Sequence, residues 1–208
     1  MAGWSEFLPD ILPHVPGCPA LIAEHEVRRA AQAFFEGARA WKTTLDPMAI
    51  RAGDEMIEIA ADDGGIAVVR IEHATAGGTP VEVLPSPDTL PAGWEEHTAS
   101  KLLAIIMYSP SEARLYPLPA EDTDLTLGIS VRPSDAAPGI PDGLFRKYRE
   151  AITFGAKSRL MMYSGREWSS MELGAAYGAA FAAAIDRATI DAARGFSGAR
   201  IVARQVWC

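Results

Sequence analysis

At 208 residues, with 49% apolar and 22% charged side chains, the chain has the makings of one folded domain or a compact domain carrying an insertion, not of a disordered or fibrous protein. Its formal charge of −8 argues against general nucleic-acid affinity, because a duplex binder needs several Lys or Arg to displace phosphate counterions. No apolar run approaches the roughly 20 residues of a membrane-spanning helix, and the first residues lack the basic start and apolar stretch of a secretory signal, so a cytoplasmic product is expected.

Cys18 and Cys208 sit near opposite ends, with neither metal-ligand spacing nor the density of a disulfide framework, and read as reduced thiols. Charge is unevenly placed. Residues 1–140 carry 9 Lys or Arg against 21 Asp or Glu, and residues 141–208 carry 10 against 6. The asymmetry fits an interaction surface as well as ordinary variation between solvated faces.

In chain order, "FLPDILPHVPGCPA" places Pro9, Pro13, Pro16 and Pro19 at short intervals, which predicts an extended or short-helical arm. Trp4, Phe7, Leu8, Ile11, Leu12 and Val15 make that arm apolar enough to dock. From Ala20 to Trp41, Val27, Ala30, Ala31, Phe34, Ala38 and Trp41 recur at helical spacing opposite charged residues, predicting an amphipathic helix. Asp46-Pro47 offers the start of a helix that Gly53 would keep brief. Between Gly53 and Val131 the runs "EMIEIA", "AVVRIEH", "PVEVL", "LLAIIMY", "ARLYPL" and "LTLGISV" predict six short antiparallel strands, with Ile57 and Ile59, Val69 and Ile71, and Leu125, Leu127 and Ile129 alternating.

After "RPSDAAPGIPDG" the helical period returns through Leu144, Tyr148, Ile152, Gly155, Ala156, Arg159, Leu160 and Tyr163, and a second long helix follows from about Ser170 to Arg194, with Gly195 as its terminator. The expectation is an α+β fold: an antiparallel helical bundle (20–52 and 140–195), a β-rich insertion (53–139), an N-terminal arm (1–19) and a C-terminal arm (196–208).

"GAKS" inside the first of those helices imitates a phosphate loop. Ala156 separates Gly155 from Lys157, Ala151 and Ile152 occupy the region of the first Gly, and no strand precedes it, so no nucleotide site is expected. Glycine costs about 1 kcal/mol in a helix interior, and close packing is the natural compensation. The last two helices are therefore expected to form a tight antiparallel hairpin in which Gly155, Ala156 and Ser158 lie near some small residues of the last helix, with Gly155, Ala156, Trp168, Gly174 and Gly178 as helix-packing or subunit contacts. The alanines Ala175, Ala179, Ala182 and Ala183 lie beside those glycines in sequence.

His25-Glu26 lacks the second His of a zinc helix, Glu95-Glu96-His97 has no partner at ligand spacing, and Gly195-Phe196-Ser197-Gly198 is not a nucleophile elbow. No metal or cofactor is expected. "FSGARIVARQVWC" places Arg200 and Arg204 among Ile201, Val202, Val206 and Trp207, a composition that suits a binding arm or a last strand folded onto its own domain.

Taken together, "FLPDILPHVPGCP" leading into "VRRAAQAFFEGARAW", then "RLYPLPAEDTDLTLGISVRPS", and above all "IPDGLFRKYREAITFGAKSRLMMYSGREWSS" followed by "AAYGAAFAAAIDRA" resemble the head-to-tail adaptor (connector, or neck) proteins of tailed bacteriophages. The resemblance covers most of the chain. It implies a non-enzymatic virion protein, made in the host cytoplasm, that forms a homo-oligomeric ring, usually a dodecamer, beneath the portal. Such a ring extends the DNA channel without binding DNA specifically, and offers a platform to a tail tube, nozzle or tail-completion protein. It also implies that the arm with Arg200, Ile201, Arg204, Val206 and Trp207 reaches the portal. The family often has a proline in the turn between the last two helices, where this chain has Ser164-Gly165-Arg166-Glu167-Trp168. A tail-completion or tail-tube protein is the alternative within the virion, and a thiol hydrolase pairing Cys18 with His14 or His25 the alternative from another class.

Overall fold

The computed structural model describes residues 1–60, 64–90, 93 and 96–194. It is mixed α/β, with four α-helices and a curled sheet. The helices are α1 (Leu8–Ile11), α2 (Ala20–Ala38), α3 (Asp142–Met161) and α4 (Met171–Arg194). The strands are β1 (Ala2–Gly3), β2 (Lys42–Thr44), β3 (Met48–Ile50), β4 (Met56–Glu58), β5 (Ile66–Ala76) and β6 (Thr79–Leu84). They continue with β7 (Thr98–Ala99), β8 (Ala104–Ser109), β9 (Glu112–Tyr116), β10 (Leu118–Pro119), β11 (Thr123–Pro133) and β12 (Gly139–Ile140). Among the described residues two compact units result, one drawn from residues 1–40 and 135–194 and one from residues 41–134.

In the helical unit, prolines set where helices begin. Pro19 and Pro141 stand in extended conformation immediately before α2 and α3, because a proline tolerates the helix entrance but not its interior. The apolar stripe of α2 is buried at Ala23, Val27, Ala30, Ala31, Phe34, Phe35 and Ala38, and Arg39 closes the helix in a left-handed conformation. Phe34 is the centre of the aromatic core: its ring lies 5.4 Å from Phe35, 4.9 Å from Tyr148 of α3 and 6.2 Å from Phe181 of α4. The N-terminal arm is docked. It runs as 3-10 turns around α1, burying Trp4, Phe7, Ile11 and Val15, with Phe7 edge-on to Phe145 at 4.9 Å. Trp4 Nε1 donates to the Ala137 carbonyl at 2.8 Å, and β1 pairs with β12.

In the β unit, the order of the eight-stranded sheet is β2-β11-β5-β6-β8-β9-β4, with β3 also on β11. All six expected runs contain a strand, and β2, β3, β7 and β10 add to them. Three expectations are corrected. The sheet is not wholly antiparallel, since β6 and β8 run parallel, as do the short β7 and β10. The segment after Asp46-Pro47 is strand β3, not a brief helix, because β11 offers it a pairing edge. Val68, not Val69, shares the core with Ile71: Ser130 pairs with Arg70 and Val131 with Val68, so Val69 is the extra residue of a bulge. The core of this unit gathers Val68, Ile71, Ile105, Leu115, Leu125, Leu127, Ile129 and Val131.

Candidate assembly surface

The contact between α3 and α4 is read most directly at its glycines. A methyl at Gly155 would stand 2.7 Å from Phe181 Cε2 and 3.0 Å from Ala30 Cβ, so three helices approach one another where that side chain is missing. One at Gly178 would meet Ser158 Oγ at 3.0 Å, and one at Gly174 would meet Met162 Sδ at 3.1 Å. As positions rise through 155 and 158 in α3 and 162 just past its end, their α4 partners fall through 181, 178 and 174, which makes the pair antiparallel. Ser158 Oγ donates to the Gly174 carbonyl at 2.8 Å across this seam. Ala156 is fully buried in α3.

The turn between the two helices uses Gly165 at φ +70°, a conformation that costs glycine nothing. Ser170 then caps α4, accepting from Leu173 N at 3.4 Å. Trp168 is half-buried beside an open cleft of about 410 Å³ that Leu21, His25, Arg28, Tyr163 and Arg166 also line. The Arg166 guanidinium lies 5.9 Å from the centre of its ring, and its Nε1 is enclosed with no hydrogen-bond partner among the described residues.

Behind this cleft Glu26 is almost wholly buried. Its Oε1 accepts from Tyr163 Oη at 2.9 Å and from Arg29 Nη1 at 3.1 Å. That hydrogen bond, and then burial, hold the Tyr163 phenol above the ordinary tyrosine range.

The outward side of α4 is unlike an ordinary solvated helix face. Between Glu172 and Asp186 it carries no charged residue, and Leu173, Ala175, Ala176, Ala179, Ala182 and Ala183 are exposed. Of the alanines that sequence places beside Gly174 and Gly178, Ala175, Ala179 and Ala182 thus lie outside the α3–α4 seam, and Ala183 borders an open cleft that α3 also lines.

A model of the SU10 adaptor protein family matches residues 20–203. The chain belongs to that family. The match begins at α2 and runs through the described helices and strands that follow it, in agreement with the resemblance to phage head-to-tail adaptors drawn from the sequence. No curated protein matches the chain.

Adaptors of this kind are phage structural proteins, which implies a place in the virion and interactions with other phage structural proteins. No described helix is long and apolar enough to cross a membrane. In this adaptor-family chain Cys18 is buried, its Sγ lies 3.7 Å from the Pro19 carbonyl oxygen, and burial pushes the thiol up, opposite to the shift that makes a thiolate nucleophile. His14 lies edge-on to Tyr177 at 6.3 Å and His25 on the Trp168 cleft; no described hydrogen bond joins either to Cys18. Gly195 and the arm residues Arg200, Ile201, Arg204, Val206 and Trp207 lie outside the described residues.

Proposed function

We propose that the chain is a structural, non-enzymatic head-to-tail adaptor. It assembles into a homo-oligomeric ring, a dodecamer in the family pattern, between the portal and the tail. The helical unit acts as the antiparallel bundle that makes subunit contacts, and the β-rich unit is an insertion in its sequence. The observation that carries this reading is the charge-free, alanine-rich outer face of α4. A surface helix normally turns charged residues to water; small side chains instead let another helix approach closely, and a second copy of the chain is the occupant expected in a ring.

Residues 41–134 hold 15 Asp or Glu against 6 Lys or Arg, a balance suited to lining a channel through which DNA slides without adhering. Residues 196–208 are the candidate portal-binding arm, with Arg200, Arg204 and Trp207 as anchors. The other end of the ring receives a tail tube, nozzle or tail-completion protein. Cosedimentation of the purified chain with portal-bearing heads tests this reading. The full chain should cosediment and a chain lacking 196–208 should not; retention of the shortened chain at full strength would remove the arm's role, and failure of the full chain to bind would remove the adaptor's.

A further inference from the structure

Within the helical unit, α3 presents Arg146, Arg149, Thr153 and Lys157 at i, i+3, i+7 and i+11, so these four lie in one row along the helix. The row passes under the N-terminal arm and lines a cleft of about 600 Å³ whose other wall includes Asp10 and His14. Its far end is buried: Arg146 is exposed and Arg149 half-buried, whereas Thr153 is 3% and Lys157 6% exposed.

The deep end of the row is unsatisfied. Thr153 Oγ1 is enclosed and has no hydrogen-bond partner among the described residues. Lys157 Nζ stands 5.2 Å from the centre of the Tyr177 ring, and none of the described groups gives it a hydrogen bond or an ion pair. Two acids line the cleft: Glu150, and Asp10, which is already engaged by Arg149 Nε and reaches Lys157 only through its field. Burial draws the Lys157 ammonium below the ordinary lysine range, with the Asp10 charge opposing. A nearly buried cation beside an enclosed hydroxyl is costly unless an acceptor completes it.

We propose that this cleft binds a compact oxyanion of the phosphate class, held by Lys157 Nζ and Thr153 Oγ1 beneath the arm. Ammonium and hydroxyl are both donors to such a group, whereas a cation would meet the row's repulsion and an apolar ligand would leave both donors unpaired. The site takes one small anionic group rather than a duplex backbone, because Lys157 lies under the arm and is 94% buried by its own unit. It is independent of the assembly role proposed above.

The test is calorimetric titration of the full chain with inorganic phosphate at constant ionic strength, alongside melting curves, for the wild type, Lys157→Met and Thr153→Val. The wild type should show saturable heat and a saturable rise in Tm. Lys157→Met should weaken binding at least tenfold while melting no lower than the wild type in phosphate-free buffer, since it removes a largely desolvated charge that no described group pairs. Thr153→Val, nearly isosteric, should weaken binding severalfold with the fold intact. Absence of heat would overturn the proposal, as would a non-saturating rise in Tm shared by all three proteins, the signature of general salt exclusion. A response of the wild type to a short DNA duplex but not to phosphate would also overturn it.

Discussion

Gly155 shows how much one missing methyl can decide. Alanine there would gain about 1 kcal/mol of helix propensity, yet its Cβ would fall inside contact distance of both Phe181 and Ala30. Gly155→Ala should therefore cost about 1–3 kcal/mol in urea denaturation. Gly143, in the first turn of the same helix with nothing within 4 Å of an added Cβ, should gain about 0.5–1 kcal/mol from the same change. The cost of a glycine inside a helix is legible in the sequence; which side chains fill its place is not, because Ala30 and Phe181 come from distant segments. Tyr163 gives a second test. Its phenol titrates higher in the folded chain than in the unfolded one, so its contribution is whole below the ordinary tyrosine value of about 10 and is lost as pH rises through the folded value. Tyr163→Phe should flatten that alkaline loss of stability; an unchanged alkaline limb would show that the phenol does not depend on Glu26.

At the scale of elements, the N-terminal arm is held by its buried apolar side chains and, at its start, by one short ladder. A Cβ at Gly139 would lie 1.9 Å from the Ala2 carbonyl oxygen, a clash with backbone that no rotamer relieves. Gly139→Ala should break the β1–β12 pair and accelerate amide exchange across Trp4–His14, while amides of β5 and β11 keep their protection. Helix α4 makes the opposite prediction. Ala179 is exposed, so Ala179→Arg should change the stability of the single chain by less than about 0.5 kcal/mol and yet reduce the assembled mass seen by sedimentation. The main helices and six strands are legible because their periods of 3.6 and 2 are local. Strands β2 and β3 are not, since Thr43, Thr44 and Met48 to Ile50 carry too short an alternation and find order only on β11. The parallel β6–β8 pair and the bulge at Val69 are equally hidden, being properties of strands brought together from apart.

At the scale of the whole molecule, family membership was legible in long motifs spread along the chain, and the family match over residues 20–203 takes in all of them but the N-terminal arm. The exposed face of α4 was not, because a run of alanines reads equally as seam or as surface until the partner of each position is known. The small-residue side that meets α3 is supplied by Gly174 and Gly178, which leaves Ala175, Ala176, Ala179, Ala182 and Ala183 turned outward. In the proposed ring, close approach by another copy would be the assembly-level counterpart of the packing at Gly155. Electron microscopy of intact particles tests this account most directly. Density for a ring of this chain between portal and tail, with α4 at the subunit contacts, is the predicted result; a neck in which the chain is absent or stands as isolated copies would contradict it.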